Sequence, residues 1–214
     1  MSTVALVDYG SGNIRSAEKA VVEAARRNGA DHAVRVTADP DAILSADRIV
    51  LPGVGAFRAC MDALEARPGV VEAMTRAVRE RGTPFLGVCV GMQLLASRGR
   101  EFGVRDGLGW IPGEVRRLEP SEAHAKVPHM GWNEIAPVPH ALFEGQPDPA
   151  PAMYFTHSFA FHPDEEGTVI ATADHGGPFA AAVAKGNIAG VQFHPEKSQA
   201  AGLALISRFL DWRP

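Results

Sequence analysis

The sequence is poor in cysteine, with only Cys60 and Cys89 in 214 residues. Two thiols make no disulfide framework, so the fold must rest on a packed core and each cysteine needs its own explanation. No apolar run reaches the length of a bilayer span, so no membrane partner is expected. The start, Met1-Ser2-Thr3-Val4, has neither a basic n-region nor a cleavage site. No secretory signal is expected, and a reducing cytoplasm is the natural location. Basic residues (21) are outnumbered by acidic ones (25), no run of Lys or Arg overrides that, and Arg116-Arg117 is only a pair. That balance argues against a nucleic-acid partner, and a solvated strand edge explains the pair. His-Glu-x-x-His and Cys-x-x-Cys spacings are absent, so a zinc hydrolase is a weak alternative, and no metal or other cofactor is expected. Repeats, low-complexity tracts and linkers are also missing, which leaves one domain over residues 1–214.

What is present is a strand–helix alternation in the first half. Thr3–Val7 is a buried strand running into Asp8-Tyr9-Gly10-Ser11-Gly12-Asn13. Ile14, Ala17, Val21 and Ala24 then recur at helical spacing up to the C-cap pair Asn28-Gly29. Ala33–Val36 is a second strand, Asp39-Pro40 opens a short helix, and Arg48–Leu51 is a third strand that breaks at Pro52-Gly53-Val54-Gly55. Helical stretches over Phe57–Ala66 and Gly69–Arg81 precede a fourth strand, Pro84–Val88, which meets Cys89 and a helix from about Met92 to Ser97. The pattern predicts an α/β fold whose mostly parallel sheet carries helices on both faces. Short runs follow, at Val115–Leu118, Asn133–Ala136, Met153–Phe155, Phe159–Phe161, Val169–Ala173, Phe179–Ala184 and Ile188–Phe193. Gly and Pro separate them, predicting an antiparallel section before a closing helix over Ala200–Trp212. The proline-rich stretch 137–151 reads as a surface loop.

Cys89 has two possible roles, a buried small hydrophobe or a nucleophile. Gly87-Val88-Cys89-Val90-Gly91 lies between a buried strand and a helix, the setting of a nucleophile elbow. So tight a turn needs flanking residues with little side chain, and Gly87 and Gly91 provide that. A helix starting there would favour the thiolate through its dipole. The Val90 N–H could hold a developing oxyanion. Cys60 sits in a helical pattern with Phe57 and Leu64, where core packing is the better reading. After the last apolar strand comes His194-Pro195-Glu196. Pro195 keeps His194 extended, and residues two apart in extended chain face one way. His194 can then act as base and Glu196 as the carboxylate that orients it. An ordinary exposed pair at a strand end is the competing reading for His194 and Glu196. Gly53-Val54-Gly55 after the third strand is equally a plain turn, a weak phosphate cradle or an oxyanion loop beside Cys89.

Taken together the motifs resemble a known family. Pro84–Leu95, which contains Gly87-Val88-Cys89-Val90-Gly91-Met92-Gln93, is similar to the nucleophile motif of class I (triad) glutamine amidotransferases, and Gln192–Glu196 to their His-Pro-Glu motif. Val7–Ser16, Leu51–Phe57, Lys126–Asn133, Tyr154–Ser158 and Gly190–Ser198 resemble the glutaminase subunits of imidazole glycerol phosphate synthases, and these segments spread over nearly the whole chain. The resemblance implies a flavodoxin-like amidotransferase fold with glutamine as substrate. It implies a role in histidine biosynthesis, in a heterodimer with a cyclase subunit of (β/α)8-barrel fold. By motif position it makes Cys89, His194 and Glu196 the triad and Gly53, Val54 and Gly55 the oxyanion strand. It gives Gln93, His157 and Ser158 to substrate binding, and Asn13, Trp132 and Lys197 to the partner face. Val90 stands where Leu is frequent, which matters little for a group acting through its N–H. Phe159 stands where Tyr is common and lacks the hydroxyl that could hydrogen-bond there. Three rival readings are another triad glutaminase, serving pyridoxal phosphate or aminodeoxychorismate synthesis, a non-catalytic module on the same fold, and a stand-alone thiol hydrolase. The segments Asp8–Ser16 and Lys126–Asn133 speak against the first, and the intact Cys, His and Glu against the second.

Overall fold

The computed structural model describes residues 2–29, 32–121, 125–147 and 150–214. Four strands open the chain: β1 (Ser2–Val7), β2 (His32–Thr37), β3 (Arg48–Gly53) and β4 (Phe85–Cys89). Between them lie the helices α1 (Ile14–Asn28), α2 (Pro40–Ser45), α3 (Phe57–Glu65) and α4 (Val70–Thr75), the last running on into a π-helical turn over Arg76–Glu80. A single helical turn, α5 (Val90–Gln93), follows β4. The second half adds β5 (Arg98–Gly99), β6 (Arg105–Asp106), β7 (Gly113–Arg117), β8 (His129–Asn133), β9 (Ala136–Pro137), β10 (Met153–His157) and β11 (Phe159–Pro163). It closes with β12 (Val169–Asp174), β13 (Pro178–Lys185), β14 (Ile188–Val191) and the helix α6 (Gln199–Asp211).

The main sheet has the order β2-β1-β3-β4-β14-β13-β12-β9. Pairing is parallel from β2 through β14 and antiparallel from β14 to β9. Every residue of β4 and β14 is buried, as the centre of a sheet covered on both faces requires. On α1, Ala17, Ala20, Val21, Ala24 and Ala25 are buried, which is one helical stripe. Gly29 ends that helix in the left-handed conformation at φ 64°, and Asp39 caps α2 by accepting from the Asp41 N–H. Because β1, β3, β4 and β14 run parallel, the segments leaving all four gather at one sheet edge. That edge is where α/β sites form.

The structure corrects several expected boundaries. β3 does not break at Pro52-Gly53, because Pro52 and Gly53 stay in register with Val88 and Cys89 of β4. The helix expected over Met92–Ser97 starts at Val90 and stops at Gln93. The carbonyls of Leu94, Leu95 and Ala96 are taken by the N–H groups of Leu108, Ile111 and Gly109 from a returning loop, so the helical ladder cannot continue. β8 lies at 129–133, ahead of the strand expected over Asn133–Ala136, of which only the two-residue β9 remains. Arg116 is not merely solvated: its Nε donates to Glu114 Oε2 at 3.1 Å, beside Arg98 and Arg100 on the same carboxylate. Among the described residues, no helix is long and apolar enough to cross a membrane.

Candidate active site

The elbow forms because nothing larger than hydrogen fits beside it. A Cβ on Gly87 would lie 2.4 Å from the Gly91 carbonyl oxygen, and one on Gly91 would lie 1.9 Å from the Leu51 carbonyl oxygen. Cys89 between them has φ 55° and ψ −112°, a conformation that L-residues rarely adopt. Gly53 is directly opposite Cys89 in the sheet. A Cβ there would meet the Gly91 nitrogen and the Tyr9 hydroxyl, both at 2.8 Å. Gly53 therefore packs against the elbow, while a Cβ on Gly55 would meet nothing within 4 Å.

That segment is held from behind. Tyr9 Oη donates to the Pro52 carbonyl at 2.9 Å, and Ser11 Oγ to the Val54 carbonyl at 2.8 Å. Cys60 is fully buried, in line with core packing, and its thiol also reaches the Val54 carbonyl at 3.3 Å. Burial pushes both the Cys60 thiol and the Tyr9 phenol up, so both stay protonated donors.

His194 Nδ1 lies 2.8 Å from Glu196 Oε1, and both side chains are nearly inaccessible. The route to this contact differs from the one expected. His194 is extended, but Pro195–Lys197 is a 3-10 turn, and that turn, not strand alternation, swings Glu196 back to the imidazole. Backbone bonds fix the ring's base. The His194 N–H donates to the Tyr154 carbonyl at 2.9 Å. Ser198 Oγ donates to the His194 carbonyl at 2.7 Å and accepts from the Tyr154 N–H at 3.0 Å. Nε2 is buried without a hydrogen-bond partner. Burial opposes charge on this ring, yet the neighbouring Cys89 sulfur and Glu196 carboxylate outweigh it and push His194 up to about 9.

A cavity of about 270 Å³ opens above the elbow. Cys89, Val90, Gln93, Val54, Gly55, His157, Ser158 and His194 line it, as do Glu101, Pro128, Thr156 and Phe159. Eight expected residues thus converge on one pocket. Gly53 and Glu196 stand behind it, the one against the elbow and the other on His194. Gln93 is not free to donate to a ligand, since both hydrogens of its amide are used, on the Phe159 carbonyl at 2.9 Å and on Gln192 Oε1 at 3.0 Å. Its Oε1 remains as an acceptor. His157 donates from Nδ1 to that Phe159 carbonyl and meets His129 Nδ1 through Nε2 at 3.0 Å. Burial holds His129 and His157 down to about 4, so the pair is neutral at ordinary pH. Phe159 serves through its carbonyl, so the missing Tyr hydroxyl does not touch this network. Among the described residues, no group of three or more His, Cys, Asp or Glu is placed to hold a metal ion.

The sequence reading missed Gln192, whose amide nitrogen lies 3.7 Å from the Cys89 sulfur. It missed Tyr154 too, whose ring stands 5.9 Å from Trp132 and 5.5 Å from the Lys197 ammonium. Trp132 and Lys197 thus share one exposed face through Tyr154. Asn13 is exposed at the α1 N-cap, on the sheet edge that carries Cys89.

The profile of the family described as glutamine amidotransferase class-I matches residues 5–211. The chain is 63% identical to the imidazole glycerol phosphate synthase subunit HisH of Caulobacter vibrioides, over 100% of both chains. It is 55% identical to the same subunit of Zymomonas mobilis, over 100% of this chain and 97% of that one. A solved glutamine amidotransferase superposes with a TM-score of 0.69 at 20% identity, covering 97% of each chain. Another, from Thermotoga maritima, gives 0.59 at 17% identity, over 98% of this chain and 83% of that one. The chain belongs to the class I glutamine amidotransferases and, within them, to the family of imidazole glycerol phosphate synthase HisH subunits.

Proposed function

We propose that this chain, acting as one glutaminase domain, hydrolyses glutamine through a Cys89–His194–Glu196 triad and hands the ammonia to a cyclase subunit in histidine biosynthesis. One observation carries the reading: a buried imidazole, oriented by Glu196 and with Nε2 unspent, shares a small cavity with a cysteine on a strained elbow. The Cys89 thiolate attacks the side-chain carbonyl carbon of glutamine, and the oxyanion develops toward the Val90 N–H and the Gly53–Gly55 segment. His194, charged at neutral pH, gives its Nε2 proton to the leaving nitrogen. The C–N bond breaks, ammonia departs and a γ-glutamyl thioester remains. His194, now neutral, takes a proton from water. The hydroxide adds to the thioester, the C–S bond breaks, and glutamate leaves with the thiolate restored. Gln93 Oε1, His157 and Ser158 line the space where the substrate's amino-acid end would sit.

Ammonia set free in water is largely protonated and no longer nucleophilic, so it must pass directly to an acceptor. Trp132, Tyr154 and Lys197, together with Asn13 at the α1 N-cap, form the proposed face for a (β/α)8-barrel cyclase in a cytoplasmic heterodimer. That cyclase would consume the ammonia in making imidazole glycerol phosphate and aminoimidazole carboxamide ribotide. The test is glutamate release by the chain alone, with a cyclase subunit, and with cyclase plus its nucleotide substrate. The highest rate is expected in the third mixture. Equal rates in all three would favour a stand-alone thiol hydrolase instead.

A further inference from the structure

The thiolate at Cys89 has little help from a helix. α5 is one turn long, and a macrodipole needs more aligned peptides than that. Besides the charged His194 imidazole, support must come from individual donors around the sulfur. We propose that Gln192 is a further catalytic residue, its side-chain N–H donating to the Cys89 sulfur, and that Gln93 is the positioning residue that aims it.

The direction of the amide follows from one acceptor. The Phe159 carbonyl oxygen can only accept, so the Gln93 amide nitrogen must face it at 2.9 Å. That nitrogen's second hydrogen then points at Gln192, which must answer with its oxygen, at 3.0 Å. With Oε1 committed, Gln192 Nε2 is turned to Cys89 Sγ, at 3.7 Å, a normal length for a bond to the larger sulfur atom. Both amides are buried, Gln192 completely, so water cannot substitute for the missing partner if the chain is cut. The strand register fixes the placement: Val191 of β14 pairs with Val88 of β4, so Gln192 follows beside Cys89. Its own N–H is tied to the Ala181 carbonyl at 2.8 Å.

A donor facing sulfur binds the thiolate more strongly than the neutral thiol, because one partner is ionised. Gln192 therefore favours the form of Cys89 that attacks. It also steadies the thiolate as leaving group when the thioester is hydrolysed. The inference rests on Cys89 being the nucleophile, and its test separates the two claims.

The measurement is the pH dependence of iodoacetamide alkylation at Cys89 in the full chain, followed by the mass of the peptide that carries it. Wild type, Gln192→Met and Gln93→Met are compared, with circular dichroism to establish that each is folded. In Gln192→Met the alkylation rate at neutral pH should fall about tenfold, the effect of losing one hydrogen bond to a charged group, and its midpoint should move to higher pH. Gln93→Met, which frees the Gln192 amide to turn, should move the midpoint the same way by less. It decides the matter if Gln192→Met does not fold. A folded Gln192→Met, or failing that a folded Gln93→Met, with the wild-type pH profile overturns the proposal. A wild-type alkylation midpoint no lower than that of a cysteine in the denatured chain would remove the nucleophile reading itself, and the proposal with it.

Discussion

At the scale of single residues, the site is built from groups held where they would not rest on their own. Cys89 at φ 55° and ψ −112° is the clearest case. Such backbone strain costs on the order of 1–3 kcal/mol, and glycine relieves it. Cys89→Gly is therefore expected to be more stable than Cys89→Ala by about 1 kcal/mol, as read from urea midpoints, although both lack the sulfur. Equal midpoints would mean that the elbow is unstrained. That Cys89 and His194 belong to one site was legible in the sequence, because the glycines and the strand ends flag them locally. Gln192 was not, since its role depends on a neighbour 99 positions away in the chain. Tyr9 offered a weaker clue: a buried phenol at a strand end needs an acceptor, which proves to be the Pro52 carbonyl.

At the scale of elements, the inner parallel strands could be read from apolar runs, since strands buried on both faces have no alternation to obscure, whereas β2 at the sheet edge is only half-buried. The turn after Gln93 could not. Leu94, Leu95 and Ala96 have good helical propensity, but the returning loop captures their carbonyls and tertiary pairing wins. The two-residue strands β5 and β6 are too short for any periodic signal. The elbow also ties β3 to β4 through glycine contacts. Gly91→Ala would drive a methyl group into the Leu51 carbonyl, at 1.9 Å from its oxygen. A loss of about 3 kcal/mol is expected, at the upper end for overpacking, seen as a lower thermal midpoint together with lost activity. A variant of unchanged stability would show that β3 can move away from the elbow.

At the scale of the whole molecule, buried histidines of opposite sign shape stability against pH. His129 and His157 are held down to about 4 from 6.5, so between those values the unfolded chain binds protons that the fold does not. Stability should fall as pH drops from 6.5 toward 4. His194 is held up to about 9, so its contribution is full below 6.5 and fades as pH rises through 9. Urea midpoints followed over this range should trace a dome, and His194→Asn should flatten its alkaline side. An unchanged alkaline limb in that variant would deny His194 its charge.

The most direct measurement is glutamate release from glutamine by wild type and Cys89→Ala, each with cyclase subunit and nucleotide substrate present. Turnover by the wild type and a loss of at least about 10³-fold in the variant, with its fold intact, is the expected result. A folded Cys89→Ala protein that releases glutamate at the wild-type rate would contradict the assignment of Cys89 as nucleophile.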